Sequence, residues 1–178
     1  MRESGFYLHS GVTFVRSRGN RWVAAFALAV LGLFFLPVTG WAAPSATSPY
    51  DAQADGAKQI ETALVSARRE GKRVLLQFGA NWCVWCVRLH GLFASDARIA
   101  ARLKDSYAVV LIDVNEGRNA AVNDRYGKPT RFGLPAIVVL DADGHPLVTQ
   151  DTEAFEEGNR HDPEKVLAFL EKWAVRPR

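Results

Sequence analysis

The chain has 178 residues and a formal net charge of +3, from 22 basic and 19 acidic side chains. Four of the basic residues and one of the acidic residues lie within residues 1–42, so the remainder carries equal numbers of both and is neutral. This neutrality argues against a nucleic-acid surface, and the length allows one domain of ordinary size plus an additional segment.

The first 42 residues have the layout of a secretory signal peptide. Basic residues come first, an apolar run covers residues 22–36, and Gly40 and Ala42 supply small residues before a cleavage site. We therefore predict a signal peptide over residues 1–42 and cleavage after Ala42, which places the rest of the chain outside the cytoplasm. The alternative is an uncleaved anchor, because the apolar sequence extends to Ala43 and about 20 residues span a bilayer.

We predict a flexible lead-in over residues 43–56, because this stretch is rich in Ala, Ser, Pro and Thr. The folded domain is expected to cover residues 57–175. Its first helix is predicted from about Gly56 to Glu70, because apolar residues recur at helical spacing from Ile60 onward. Gly71 is the expected C-terminal stop of that helix.

A buried central strand is predicted from Arg73 to Phe78, because this run is mostly apolar with β-branched and aromatic members. The turn 79–81 follows, and then come the only two cysteines of the chain, Cys83 and Cys86. A helix running from Cys83 to about Leu92 would place the first sulfur at its positive end, which favours a thiolate. Strand, turn and Cys-x-x-Cys together predict a redox-active pair.

The second half of the chain is predicted to alternate helices and strands. The short helix at 120–126 is expected to form the crossover that a parallel pair of strands requires. The predicted elements are a helix at 96–104 capped by Ser95, a strand at 107–114, the helix at 120–126, strands at 136–140 and 146–150 joined by a turn, a loop at 152–160, and a closing helix introduced by Asp162-Pro163.

The stretch 74–86 and the tripeptide Gly133-Leu134-Pro135 resemble the thioredoxin-like superfamily, in particular its secreted bacterial members of the thiol:disulfide interchange type. The resemblance implies an α/β thioredoxin-like fold over residues 57–175, with a mixed sheet of about four strands and helices on both faces. It also implies that Cys83 attacks, that Cys86 resolves, and that a cis Pro135 faces both sulfurs. The location implied is the periplasm.

The sequence departs from the pattern of cytosolic thioredoxins in two respects. Val84-Trp85 replaces Gly-Pro between the cysteines, and Gln77 stands where those proteins carry a buried acid that helps to move a proton to or from the second cysteine. Glutamine cannot titrate, so water or a carboxylate such as Asp113 or Glu116 would have to take over. We expect both of those acids to be exposed to solvent at a strand end.

These patterns predict a thiol-disulfide oxidoreductase that acts on protein thiols and disulfides, as a reductase or isomerase, without a cofactor or metal. Its expected partners are protein substrates and a membrane thiol-transfer protein, but no nucleic acid. The expected site residues are Cys83 and Cys86 for catalysis, and Trp82, Trp85, Leu134 and Pro135 for substrate binding.

Four other functions remain open at this point. The pair could oxidise dithiols, since the same steps run in reverse. It could also be a purely structural disulfide, although a two-residue spacer stabilises weakly. A metal carrier could recruit His90, which shares a helix face with both cysteines, although zinc usually takes four ligands. Finally, an adaptor could use the groove beside Pro135 without catalysis.

Overall fold

The computed structural model describes residues 48–175. The predicted signal peptide at 1–42, the cleavage site after Ala42 and the first part of the predicted lead-in lie outside the described residues. Within residues 48–175, none of the helices combines the length and the apolar composition needed to span a bilayer.

A four-stranded mixed sheet forms the centre of the fold, with the strand order β2-β1-β3-β4. Strand β1 is parallel to β2 and antiparallel to β3, and β3 is antiparallel to β4. All residues of β1 after its first are buried, as predicted for the central strand. The strands are β1 (Arg73–Gly79), β2 (Tyr107–Asp113), β3 (Ala136–Leu140) and β4 (Pro146–Asp151).

Helices cover both faces of the sheet, which confirms the predicted layering. One buried cluster contains Ile60, Phe78 and Val122, and a second contains Leu89 and Leu170. Successive residues of β1 point to opposite faces, so this strand contributes to both clusters. The helices are α1 (Gly56–Glu70), α2 (Val84–Ser95), α3 (Ala97–Ser106), α4 (Ala120–Arg125) and α5 (Pro163–Trp173).

Helix α1 begins and ends where the sequence predicts. The Asp55 side chain accepts hydrogen bonds from the first turn, and Gly71 adopts the left-handed conformation, with φ of 67°, that favours glycine after a helix. The predicted cap at Ser95 is wrong, because Asp96 takes that role and accepts from the backbone N–H groups of Arg98 and Ile99. Ser95 is instead the last residue of α2.

Two topological details also differ from the prediction. Helix α4 is not the crossover between parallel strands, because β3, which follows it, runs antiparallel to β1. The parallel connection from β1 to β2 contains α2 and α3 instead. The predicted loop at 152–160 contains a short 3₁₀ helix, Thr152–Phe155, and a two-stranded hairpin of β5 (Glu156–Glu157) and β6 (Arg160–His161).

Candidate active site at the Cys83–Cys86 pair

The two cysteines lie at the N-terminus of α2, joined by a disulfide with a Cα–Cα distance of 5.2 Å. The helix predicted to begin at Cys83 begins one residue later, at Val84, so Cys83 is its N-cap residue. Cys86 lies in the first turn of the helix. The Cys83 sulfur accepts a hydrogen bond of 3.2 Å from the backbone N–H of Cys86. The free N–H groups and the dipole of a helix terminus both favour negative charge on that sulfur.

Cys83 is the more accessible sulfur-bearing residue of the pair. It retains 6% of its surface, whereas Cys86 retains none. The neighbours of Cys83 are well exposed, at 66% for Trp82 and 59% for Val84. Cys83 is therefore the more accessible residue of the pair and lies between two exposed apolar side chains, whereas Cys86 is fully buried.

Trp82 and Trp85 occupy different surroundings. The indole N–H of Trp82 donates a 2.9 Å hydrogen bond to Asn115 Oδ1, which holds the ring over the loop that follows β2. Trp85 is half-buried and packs against the two cysteines. The guanidinium of Arg88 lies 5.2 Å from the centre of the Trp85 ring.

His161, which no sequence pattern predicted as a site residue, supports Trp85 from the short hairpin. The two rings meet edge to face at 5.1 Å, and His161 Nε2 lies 3.2 Å from the Trp85 carbonyl oxygen. Because a carbonyl only accepts, Nε2 carries the proton in this contact. Burial is the main cause that lowers the pKa of His161, so the ring is neutral at neutral pH.

The Leu134-Pro135 peptide bond is cis, which confirms that prediction. Leu134 packs against the cysteine cluster, and Pro135 is buried. The carbonyl oxygen of Pro135 accepts a hydrogen bond of 2.6 Å from the hydroxyl of Thr152, which is itself buried. Thr152, in a stretch predicted as a loop, thus fixes the backbone next to the disulfide.

Tyr50 is the largest departure from the predicted site. It lies in the stretch predicted as a flexible lead-in, yet only 2% of its surface is exposed and it packs against both cysteines. The Asn81 side chain holds it from both sides, accepting from the Tyr50 N–H at 3.0 Å and donating to the Tyr50 carbonyl at 2.8 Å. A lone aromatic residue in a small-residue stretch was the available sequence signal.

Gln77 lies fully buried behind Cys86. Its Nε2 donates to the Tyr50 hydroxyl at 2.7 Å and to the Cys86 carbonyl at 3.1 Å. Its Oε1 is buried without a hydrogen-bond partner among the described residues. The amide therefore ties Tyr50 to the backbone of the second cysteine.

The two acids considered as replacements for the missing carboxyl group differ in burial. Glu116 is exposed, as expected, but Asp113 is buried, which contradicts the expectation of exposure. Asp113 sits at the end of β2, where it accepts from the Asn115 N–H at 2.8 Å and lies 3.7 Å from Arg118. These contacts explain how a carboxylate is accommodated there.

Gly79 provides the space in which Tyr50 and Cys86 meet. A Cβ at this position would stand less than 3.0 Å from the Tyr50 hydroxyl oxygen and less than 3.0 Å from the Cys86 sulfur. The hydroxyl and the sulfur thus approach the same point. This point is free because residue 79 is a glycine and has no side chain.

The metal-carrier alternative would need His90 beside free cysteine sulfurs. His90 is half-buried one turn after Cys86, and burial lowers its pKa. The three potential ligands that meet within residues 48–175 are instead Asp141, Asp143 and His145, on the surface turn between β3 and β4. That turn is remote in sequence from the cysteines.

Comparison with known proteins agrees with this geometry. Residues 55–142 match a family model described as thioredoxin-like. A crystal structure of a disulphide isomerase from Xylella fastidiosa is 33% identical and superimposes with a TM-score of 0.64, covering 70% of this chain and 95% of that chain. The chain belongs to the thioredoxin-like family.

Relatives of this thioredoxin-like chain include much longer proteins. The thiol:disulfide interchange protein DsbD 1 of Pseudomonas aeruginosa is 35% identical over 88 residues, which is 48% of this chain and 14% of that protein. DsbD of Salmonella choleraesuis is 32% identical over 133 residues, which is 72% of this chain and 23% of that protein. The chain thus aligns with less than a quarter of either protein.

Proposed function

We propose that this thioredoxin-like domain is a thiol-disulfide oxidoreductase that reduces or isomerises disulfides in other proteins. The observation that carries the proposal is the Cys83–Cys86 disulfide at the start of α2, with Cys83 the more accessible residue. The names of the relatives, a disulphide isomerase and thiol:disulfide interchange proteins, describe chemistry of the same class.

In the reducing direction, the Cys83 thiolate attacks one sulfur of a substrate disulfide and forms a mixed disulfide. The substrate S–S bond breaks, and its other sulfur leaves as a thiolate that takes up a proton. Cys86 then attacks Cys83, the bond to the substrate breaks, and the substrate leaves with two electrons while the Cys83–Cys86 disulfide forms. The position of Cys83 at the helix terminus supports its role as the attacking thiolate. Full burial of Cys86 supports its role in resolution.

The surface around Cys83 is proposed to bind the substrate. Trp82 offers an exposed indole face, while Trp85 and Leu134 border the disulfide. An extended substrate segment would pair with the backbone at Leu134, in front of the buried Pro135, as a strand is added to an existing edge. Protein substrates with disulfides or dithiols, and a membrane thiol-transfer partner that returns electrons, are the partners proposed.

The direction of transfer follows from how little stabilises the Cys83 thiolate beyond the helix terminus. Arg88 and His161, two nearby groups that carry or gain a positive charge, make other contacts. Arg88 donates to the Asn159 carbonyl at 2.6 Å and stacks on Trp85, and His161 has a lowered pKa that keeps it neutral. A weakly stabilised thiolate makes the reduced form less favourable, and the couple more reducing.

Equilibration of the purified domain with glutathione buffers tests this proposal. We expect a reduction potential nearer to the value of about −270 mV typical of thioredoxin than to the value of about −120 mV of a strong oxidant. A potential above about −150 mV would replace the reductase assignment with the oxidase one. A pair that does not exchange with glutathione at all would contradict both.

We also propose that the domain works outside the cytoplasm, in the periplasm, after removal of residues 1–42. The proposal rests on the basic and apolar pattern of that segment, with Gly40 and Ala42 before the cut. Mass spectrometry of the protein from a cell envelope fraction is expected to find Ala43 as the first residue. An intact N-terminus in the membrane would instead favour the anchor.

A further inference from the structure

The hydrogen of the Tyr50 hydroxyl is available to donate a hydrogen bond to the second cysteine. Gln77 Nε2 donates to the hydroxyl oxygen, so the hydroxyl accepts in that contact and its own hydrogen is not used there. The Cys86 sulfur borders the same space, because a Cβ at Gly79 would meet both the Tyr50 hydroxyl oxygen and that sulfur at less than 3.0 Å.

The phenol is also in the correct protonation state to donate. Burial is the main cause that raises the pKa of Tyr50 above its ordinary value, and the buried carboxylate of Asp113 raises it further. The hydroxyl therefore keeps its proton throughout the pH range in which thiols titrate.

We propose that Tyr50 donates a hydrogen bond to the Cys86 thiolate and so promotes resolution of the mixed disulfide, with Gln77 and Asn81 as positioning residues. This inference rests on the proposed function of the Cys83–Cys86 pair. A hydrogen bond to the charged form of a group favours that form, so the Cys86 thiol ionises at lower pH than it would without Tyr50.

The step balances without any further reactant. Cys86 gives up its proton, and the resulting thiolate attacks the sulfur of Cys83. The Cys83–substrate bond breaks, and its electron pair leaves on the substrate sulfur, which takes up one proton. Tyr50 is unchanged at the end, because it supplies only a hydrogen bond.

Asn81 explains why Tyr50 stays in place although it precedes the first helix. Its side-chain amide forms two hydrogen bonds with the backbone of Tyr50, one in each direction. Asn81 belongs to the turn directly before the cysteines, so the same turn positions both Cys83 and the residue that contacts Cys86. Asn81 itself is exposed, which makes the tether open to substitution without a change in the core.

The other titratable groups around the cysteine pair are the same in the variants with and without the Tyr50 hydroxyl. Asp113 with Arg118 approaches from the end of β2, His90 lies on α2 itself, and His161 approaches through Trp85. None of them is altered when the Tyr50 hydroxyl alone is removed. A change in Cys86 ionisation on that substitution therefore reports on the hydroxyl.

The test uses the full chain with Cys83→Ser, so that Cys86 is the only thiol, and follows the Cys86 Cβ chemical shift by NMR as pH rises. Adding Tyr50→Phe is expected to raise the pKa of Cys86 by about one unit, which lowers the thiolate fraction about tenfold at neutral pH. Adding Asn81→Ala instead is expected to shift the pKa in the same direction by a smaller amount.

Tyr107→Phe is the matched control. It also removes a buried tyrosine hydroxyl that donates a hydrogen bond, at 2.7 Å to the Leu170 carbonyl, but in the cluster on α5 rather than at the cysteines. We expect no shift in the pKa of Cys86 in this variant. An unchanged or lowered pKa with Tyr50→Phe, or an equal rise with Tyr107→Phe, would overturn the inference.

The readout separates the two proposals, because it measures a single thiol and needs no substrate. A raised pKa in a protein that exchanges no disulfides would contradict the proposed function and leave the hydrogen bond standing. In the protein with both cysteines, Tyr50→Phe should also slow release of glutathione from its mixed disulfide with Cys83. That deficit is expected to shrink at high pH, where Cys86 ionises without assistance.

Discussion

Cys86→Ser is expected to accumulate mixed disulfides between Cys83 and substrate proteins, whereas Cys83→Ser is expected to form none and to reduce disulfides no faster than buffer. Cys83 holds the helix terminus and the accessible side of the pair, so it makes the first bond to a substrate. Without Cys86 that bond has no internal thiol to resolve it. Electrophoresis without reductant, followed by mass spectrometry, measures the trapped species.

Val84→Ser is the control for this experiment, because it places a serine between the cysteines at an exposed position and leaves both sulfurs intact. It should retain turnover and trap little. In the trapping variant, Trp82→Ala should lower the yield of mixed disulfides if the exposed indole binds substrates. Mixed disulfides formed through Cys86 in the Cys83→Ser variant would reverse the assignment of the two sulfurs.

Gln77→Glu is expected to destabilise the fold by about 4 kcal/mol near pH 7 and by much less near pH 4. The substitution keeps the size of a fully buried side chain but introduces a carboxyl group between Tyr50 and the backbone of Cys86. Burial raises the pKa of such a group by about 3 units or more above its value of about 4.3 in the unfolded chain.

The direction of the pH dependence follows from the raised pKa. Above about pH 4.3 the unfolded chain releases its proton while the folded protein keeps it, so stability falls by about 1.4 kcal/mol per pH unit. The fall stops once the pH exceeds the pKa of the folded state. Urea unfolding of the oxidised protein at several pH values, with the unsubstituted protein subtracted, measures this dependence.

Gln53→Glu is the matched control, because Gln53 is exposed and a carboxyl group there stays hydrated. Its effect is expected to remain within about 0.5 kcal/mol at every pH. If Gln77→Glu cost the same at pH 4 and pH 8, the introduced carboxyl group would be solvated or paired. The view of residue 77 as a site built for a neutral amide would then be wrong.

The sequence predicted those helices and strands that are determined by residues close to one another in the chain. Helix α1 matches from Gly56 to Glu70 because its capping residues lie next to it in the chain. The redox pair was predictable for the same reason, since a strand, a turn and two cysteines follow one another within 14 residues. The fully buried β1 was visible as an apolar run.

The parts that were missed depend on contacts between distant segments. Tyr50 meets Gln77 across 27 positions, and His161 meets Trp85 across 76, so neither pairing leaves a local pattern. The direction of β3 is similar, because an apolar run reads the same whether the strand is parallel or antiparallel to its neighbour. Asp113 was missed for a different reason, because its partners, the Asn115 N–H and Arg118, are close in sequence. An acidic residue at the end of a strand reads the same whether its carboxylate is exposed or is buried with such partners.

The hydrogen bonds between Asn81 and Tyr50 determine how much of the chain must be kept when this domain is excised or fused to another protein. The region that matches the family model begins at residue 55, and helix α1 begins one residue later, so a domain boundary drawn from either would fall after Tyr50. A domain excised there, or fused to another protein at that point, would keep every strand and both cysteines but leave Asn81 without its partner and Cys86 beside an empty space. Engineered fusions of this module therefore need to join upstream of Tyr50.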